Sequence, residues 1–184
     1  NTPVNISDEM EEWIEVRGNN PVTEFGLMSP YKRVNDIYGS LLRPGNITVI
    51  VARSGVGKTR FCMDFCTKVS SESNVPVLHF DNGEMSKEEL IVRQCSALSG
   101  VSANLLETGQ WRQAGEEIVN KVRAVWEKVK KIKFYYYNVG GMSVDNMTAT
   151  LRRFYYSKIG RGNPMIFSFD YIKTTFENNG AKSE

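Results

Sequence analysis

Short apolar runs, separated by polar and amphipathic stretches, dominate the chain from about residue 31 onward. Four of these runs are continuous rather than alternating, which is typical of strands that are covered on both faces of a sheet. They span residues 47–52, 75–80, 134–137 and 165–169. The pattern therefore predicts a sheet with at least these strands.

Between the runs, apolar residues recur at the three- and four-residue spacing of a helix face. The first such face is formed by Phe61, Cys62, Phe65, Cys66 and Val69. Later stripes follow Ser86 and Ser143, which are suited to cap helices, and another covers residues 118–132. Because strands and helices alternate, the pattern predicts an α/β fold with a mostly parallel sheet and helices on both faces.

The first thirty residues have a different pattern. They are polar and are interrupted by Pro21, Gly26 and Pro30, with one short amphipathic helix predicted at residues 8–16. We therefore predict a linker or arm at 1–30, an α/β domain at 31–176 and a terminal loop at 177–184.

Composition narrows the class of protein. With 184 residues, 41% of them hydrophobic and 24% charged, the chain is not a disordered protein, a coiled coil or a disulfide scaffold. A net charge of +2 neither identifies nor excludes a polyanionic partner. The chain has three cysteines and one histidine, His79, so we expect free thiols, an interior histidine and no zinc site. We expect a cytoplasmic protein, because the sequence shows no membrane span and no secretory leader.

The strongest chemical signal is the sequence ARSGVGKT at residues 52–59, which has the form of a phosphate-binding P-loop. Glycines let successive backbone N–H groups point toward phosphate oxygens, and the following helix adds the positive end of its dipole. Lys58 is suited to contact the phosphates, and the Thr59 hydroxyl is suited to coordinate Mg²⁺. The predicted nucleotide-binding residues are Arg53, Ser54, Gly55, Val56, Gly57, Lys58, Thr59 and Arg60.

Two acidic residues at strand ends complete this prediction. Asp170 follows the apolar run 165–169, where it is suited to support the magnesium ion through water. Glu84 lies in the loop after the run 75–80, at the edge of a parallel sheet where ligands bind. Glu84 could activate the attacking water, or it could be a solvated loop acid.

In combination these motifs resemble the ATPase domain of the DnaB-type replicative helicases, which have a RecA-like P-loop fold. The family's approach to the first strand resembles residues 39–45, GSLLRPG, and its P-loop resembles residues 52–59. Its S-L-E-M-S segment resembles residues 81–86 at Glu84, Met85 and Ser86. Residues 140–145 and 163–172 resemble two further family segments, although Lys173 stands where the family usually has Gln.

This resemblance implies an enzyme that hydrolyses ATP with Mg²⁺ between the subunits of a hexameric ring, moving along single-stranded DNA and unwinding duplex. Within it, Glu84 activates water, Lys58 and Thr59 bind phosphate and metal, and Asp170 supports the metal. The ring itself, a primase and a helicase loader are the implied protein partners, in a bacterial cell or a phage-infected bacterium. The resemblance also implies that the arginine finger and DNA-binding loops lie beyond Glu184, so the domain is expected to be incomplete.

Two alternatives stay open. The chain could belong to another RecA-like ATPase, of recombinase or clock type, that does not unwind DNA. It could instead be a truncated nucleotide-binding regulatory module.

The basic stretch at residues 121–133 has two interpretations. Its lysines and arginine could touch a phosphate backbone, or they could form the solvated face of a helix whose other face carries the apolar stripe. Tyr135, Tyr136 and Tyr137 are expected to pack in the core.

Overall fold

The computed structural model describes residues 3–53 and 55–172, and these residues form a parallel sheet of three strands. The strands are β1 (Val77–Asp81), β2 (Phe134–Asn138) and β3 (Ile166–Asp170), and their order is β2-β1-β3. Both pairings are parallel and in register, so that Asp81 of β1 lies beside Asn138 on one side and Asp170 on the other. The predicted α/β class and parallel sheet are confirmed.

Helices connect the strands where the apolar stripes predict them. The α-helices are α1 (Ile6–Asn19), α2 (Lys32–Tyr38), α3 (Lys58–Ser73), α4 (Lys87–Ser99), α5 (Ala103–Glu107), α6 (Glu116–Val129) and α7 (Val144–Phe154). A short 3₁₀ turn covers Gln110–Arg112, and a π turn, Tyr155–Ile159, extends α7. The predicted serine caps are present: Ser86 closes a reciprocal capping box with Glu89, and Ser143 accepts from the backbone N–H of Asn146.

Helices lie on both faces of the sheet, as predicted, although the second face is only partly covered, since Tyr137 and Phe167 are each 43% exposed. Because side chains alternate along a strand, Val77, His79 and Asp81 face one side of β1, and Leu78 and Phe80 face the other. On the first side, Met63 of α3 and Leu90 of α4 pack with Met85, Phe134 and Tyr136. On the second side, Leu78 and Phe80 pack with Phe169 of β3 and with residues of α7 and its flanking loops: Val139, Met142, Met147, Leu151, Phe154 and Met165. All five residues of β1 are buried, including the polar side chains of His79 and Asp81.

The strand predicted at residues 47–52 is wrong. This segment has no strand structure, and most of its side chains are open to solvent: Ile47 is 91% exposed and Val51 is 89% exposed. A strand exists only when its backbone groups pair with a neighbouring strand. No described residue pairs with this segment, so its apolar, β-branched composition is not sufficient to make a strand.

The expected core packing of three tyrosines is also wrong in part. Tyr136 is half-buried and donates a hydrogen bond from its hydroxyl to the Met85 carbonyl at 3.0 Å. Tyr135 and Tyr137 point to the other face of β2 and are exposed. The reason is position, since β2 is an edge strand of the described sheet and only part of this face lies against α7.

The chain divides into two compact units between Thr48 and Val49. The first contains α1 and α2, together with a single antiparallel bridge between Leu27 and Leu42. The second contains α3 to α7 and the sheet. The domain boundaries predicted at residues 30 and 176 stay predictions, and the terminal loop 177–184 lies outside the described residues. Among the described helices, none has the length and apolar character needed to cross a bilayer.

Candidate nucleotide-binding site

The glycine-rich loop leads directly into α3. Gly55 and Gly57 have φ angles of +79° and +98°, which residues other than glycine rarely adopt. Gly57 caps α3, its carbonyl accepts from the N–H of Phe61 at 2.9 Å, and Lys58 is the first helical residue. The N-terminus of α3 is therefore formed by the motif that predicts phosphate binding. Ser54, predicted to belong to this loop, lies outside the described residues.

Lys58 and Asp170 meet, although 111 residues separate them along the chain. The Nζ atom of Lys58 is 3.1 Å from Oδ1 of Asp170, and the Asp170 side chain is almost fully buried. The same ammonium lies 4.4 Å from the centre of the Tyr171 ring. The structure thus brings the predicted phosphate-binding lysine and the predicted magnesium-supporting aspartate to one point.

The loop after β1 is held by a buried carboxylate. Asp81 Oδ1 accepts hydrogen bonds from the backbone N–H groups of Gly83 and Glu84, at 2.8 and 2.9 Å, and Oδ2 accepts from Met85 at 3.1 Å. A carboxylate that accepts several N–H bonds fixes the loop that follows it. Glu84 therefore has a fixed backbone and an exposed side chain at the carboxyl end of β1.

Two backbone hydrogen bonds join the strand ends into one edge. The N–H of Asn82 donates to the carbonyl of Asp170, and the N–H of Val139 donates to the carbonyl of Asp81, each at 2.8 Å. The loops after β1, β2 and β3 are consequently linked at the carboxyl edge of the sheet. This is the edge where ligands bind in open parallel sheets.

The geometry of Asp170 fits a role beside Mg²⁺. Its Oδ2 atom is buried and has no hydrogen-bond partner among the described residues, which is costly unless a cation or water contacts it. Within residues 3–53 and 55–172, no group of three or more histidine, cysteine or acidic side chains could hold a metal alone. Mg²⁺ bound to a nucleotide needs only one or two protein ligands, because phosphates and waters supply the others. Thr59 and Asp170 fit that requirement.

Beneath this edge lies His79, which is fully buried, as the sequence predicts. Its Nδ1 atom is 3.0 Å from the hydroxyl of Ser168. Burial lowers the pKa of His79, and the charges of Asp170 and Asp81 oppose that shift only in part.

Burial also affects two cysteines of α3. It raises the pKa of the Cys66 thiol to about 12 and raises the pKa of the Cys62 thiol, so both thiols stay protonated at neutral pH. The cysteines are free, as predicted.

Sequence reasoning did not assign roles to Asp81 or Tyr171. Asp81 supports the Glu84 loop, and Tyr171 contributes a ring face to the Lys58 ammonium. Asp81 stands at the end of an apolar run, as Asp170 does. This shared position is the feature of the sequence from which a role for Asp81 could have been predicted.

Known proteins resemble this chain in both sequence and structure. The model of the family described as the DnaB-like helicase C terminal domain matches residues 26–183. The chain is 29% identical over 148 residues to the replicative DNA helicase DnaB of Buchnera aphidicola subsp. Baizongia pistaciae (strain Bp), covering 80% of this chain and 31% of that protein. It is 25% identical over 174 residues to the DnaB of Pasteurella multocida (strain Pm70), covering 90% of this chain and 34% of that protein. The chain therefore spans about a third of the length of these relatives.

Two solved structures share the fold. One, described as a DnaB-like replicative helicase and its interactions with primase, has a TM-score of 0.75 at 19% identity, covering 95% of this chain and 42% of that one. The other, described as an ATPase domain, has a TM-score of 0.73 at 20% identity, covering 93% of this chain and 58% of that one. These similarities show the RecA-like fold of DnaB ATPase domains.

Proposed function

The chain belongs to the DnaB-like helicase C-terminal domain family, and from this premise we propose that it is part of the ATP-hydrolysing motor of a replicative DNA helicase. The observation that carries the proposal is the 3.1 Å contact between Lys58 Nζ and Asp170 Oδ1. It joins a glycine-rich loop at a helix N-terminus to a buried acid at a strand end, which is the arrangement that nucleoside triphosphate hydrolysis requires.

In the proposed site, the backbone from Arg53 to Arg60 surrounds the phosphates of ATP. Gly55 and Gly57 allow the close approach, and the N-terminus of α3 favours negative charge. Lys58 exchanges its contact with Asp170 for contact with the β- and γ-phosphates. Its ammonium then stabilises charge that develops on the transferred phosphoryl group.

Thr59 and Asp170 are the residues proposed to hold the magnesium ion. The bound ion would neutralise phosphate charge during phosphoryl transfer. Asp170 would hold it with the Oδ2 atom, which has no hydrogen-bond partner among the described residues, and Thr59 would hold it with its hydroxyl. Burial keeps the Asp170 carboxylate in one position, which favours a fixed geometry of the site.

Glu84 is the proposed water-activating residue. Its backbone is fixed by Asp81, and Asp81 lies in register beside Asp170, so Glu84 follows the strand next to the one that supports the metal. An exposed carboxylate at this position can accept a proton from water that attacks the γ-phosphate.

Assembly into a hexameric ring is proposed for the full-length protein, with hydrolysis between subunits. Support comes from α1, in which no residue is buried and the apolar side chains of Met10, Trp13 and Ile14 are more than half exposed. Such a helix gains stability by packing on a neighbouring subunit. Trp13→Glu should therefore weaken the ring in mass photometry, whereas the matched change Ser7→Glu, at an exposed polar position of the same helix, should weaken it less.

The proposed nucleic-acid substrate is single-stranded DNA at a replication fork. Primase and a helicase loader are proposed protein partners in the bacterial cytoplasm, the first because a structural neighbour is described with primase. An arginine finger from a neighbouring subunit and the DNA-facing loops are proposed to lie beyond Glu184. No role is proposed for Lys173, which lies outside the described residues.

The test is a comparison of the full-length protein with its Glu84→Gln variant on a forked duplex. We expect the unchanged protein to hydrolyse ATP and displace a strand, and the variant to bind ATP normally but turn it over at least ~100-fold more slowly. Glu88→Gln is the matched control, since Glu88 is exposed in the first turn of α4. ATP hydrolysis without strand displacement would favour a recombinase-type ATPase. Nucleotide binding without hydrolysis would favour a regulatory module.

A further inference from the structure

Basic residues are concentrated in two segments, 127–133 and 152–161. Together these segments contain eight of the chain's 23 lysines and arginines but only one of its 21 aspartates and glutamates. The basic residues are Lys128, Lys130, Lys131, Lys133, Arg152, Arg153, Lys158 and Arg161. The remaining chain is consequently acidic, although the net charge is only +2.

Both basic segments reach the same edge of the sheet. The first runs from the end of α6 into β2, and the second runs from the end of α7 into β3. At that edge the N–H of Val77 donates to the carbonyl of Lys133, and the N–H of Ile166 donates to the carbonyl of Pro76, each at 2.8 Å. The segments therefore flank the start of β1. This amino edge is opposite to the carboxyl edge that carries Lys58 and Asp170.

All eight basic side chains are exposed. Among the described residues, the one carboxylate that forms an ion pair with them is Glu127, which contacts Lys130 at 2.6 Å. A groove of about 460 Å³ beside Lys128 and Lys131 also contains Glu72 and Glu127, so charge there is mixed. The segment 152–161 contains no acid at all and is the more strongly positive of the two.

Exposed aromatic rings accompany these charges. Trp126 is 50% exposed one helical turn before Lys130, and Tyr156 is 64% exposed between Arg153 and Lys158. Cations follow a phosphate backbone, and exposed rings offer stacking surfaces to unpaired bases. An acidic protein segment would use the cations but would gain little from the rings.

We propose that this amino edge, defined by residues 126–133 and 152–161, is a contact surface for single-stranded nucleic acid, separate from the nucleotide site. The proposal rests on the proposed motor function and adds a surface for its DNA. The exposed lysines and arginines contact phosphates, which are the same in every base sequence. Binding at this surface is therefore insensitive to base sequence and weakens as the salt concentration rises.

The first test removes charge in the full-length protein with the triple variant Arg152→Gln, Arg153→Gln and Arg161→Gln. Binding of labelled oligo-dT is measured by fluorescence anisotropy at several salt concentrations, with a non-hydrolysable ATP analogue present. We expect the Kd to rise at least ~10-fold and the slope of log K against log salt to fall by about 2, because each phosphate contact contributes about 0.7. The control removes three exposed charges elsewhere, with Lys32→Gln, Arg33→Gln and Lys87→Gln, and should leave both quantities unchanged.

The second test removes stacking with Trp126→Leu and Tyr156→Leu. We expect the affinity for oligo-dT to fall about fivefold or more, while the slope of log K against log salt stays the same. Hydrolysis of ATP without DNA should be unchanged in every variant, which shows that each one folds and keeps its nucleotide site.

Several results would overturn the proposal. One is an unchanged Kd and slope in the arginine variant. Another is loss of ring assembly with normal DNA binding, which would assign the surface to an acidic partner such as α1 of a second copy. A different result separates the two proposals. If the unchanged protein binds DNA through these residues but neither binds nor hydrolyses ATP, the proposed motor function is wrong and the proposed nucleic-acid surface is supported.

Discussion

The two edges of the sheet differ in how they hold charge. At the carboxyl edge, Asp81 and Asp170 are buried, and each is fixed by hydrogen bonds or by the Lys58 ion pair. At the amino edge, eight cations are exposed and make few contacts. A buried, fixed charge suits a compact ligand that must be held in one geometry, whereas exposed cations suit an extended polyanion. Changes at the carboxyl edge should therefore have large effects that depend on geometry.

The largest effect is expected from Lys58→Ala in the full-length protein. Removing a charged donor from a phosphoryl-transfer site should lower kcat/KM for ATP by about 10²- to 10³-fold. Steady-state hydrolysis measures this loss. Lys87→Ala is the control, because Lys87 is exposed on the same edge and contacts only the exposed Glu88 among the described ion pairs. Equal losses in the two variants would remove the distinction between Lys58 and the surrounding surface charge.

A large loss of stability is expected from Asp81→Ala. The change leaves three N–H groups, those of Gly83, Glu84 and the buried Met85, without their acceptor. Since one hydrogen bond to a charged group contributes about 1.5–3 kcal/mol, the free energy of unfolding should fall by at least about 3 kcal/mol. Urea denaturation measures it. Asp145→Ala, an exposed acid in the first turn of α7, should cost less than about 1 kcal/mol.

A pH effect is expected from His79. Burial lowers its pKa in the folded protein, so below pH ~6.5 the unfolded chain binds a proton that the folded chain does not. Stability supplied by neutral His79 is complete above that pH. It is lost as pH falls, by up to about 1.4 kcal/mol per pH unit, until the folded pKa is reached.

The measurement for His79 is the urea midpoint at pH 7.5, 6.5 and 5.5. His79→Gln should flatten the profile relative to the unchanged protein, and since His79 is the only histidine of the chain, no other imidazole obscures the comparison. Parallel profiles for the two proteins would contradict the account of a neutral buried imidazole.

The smallest effect is expected from Ser86→Ala, which removes the cap of α4. The free energy of unfolding should fall by about 1 kcal/mol. Ser102 stands at the same position before α5 but makes no side-chain cap bond, so Ser102→Ala should have almost no effect. A similar cost at both serines would mean that the side-chain hydrogen bond is not the source of the stability.

Local signals predicted most of the fold. The capping serines and the helix stripes follow from the spacing of residues along the chain, and the strands β1 and β3 follow from continuous apolar runs. Residues 47–52 are more apolar than β1, which contains His79 and Asp81, yet Ile47 and Val51 lie exposed while β1 is buried on both faces. A local run of apolar residues indicates that a segment can form a strand, but whether it does depends on pairing with residues distant in the chain. For this reason the strand at 47–52 and the burial of Tyr135 and Tyr137 were predicted wrongly.

The site was predictable where a motif determines local backbone geometry. Lys58 and Asp170 were both selected from sequence, and the parallel register of β1 and β3 explains how residues so distant in the chain meet. Asp81 was missed because its role depends on which backbone N–H groups turn back toward it. The shared amino edge of the two basic segments was missed because it follows from topology and from no motif.

The most direct test of the account is a structure of the full-length protein with Mg²⁺ and a non-hydrolysable ATP analogue. The account predicts phosphates against residues 53–59, with Lys58 Nζ moved from Asp170 to phosphate oxygens and the metal between Thr59 and Asp170. Phosphates bound elsewhere, with the ion pair between Lys58 and Asp170 intact, would contradict it.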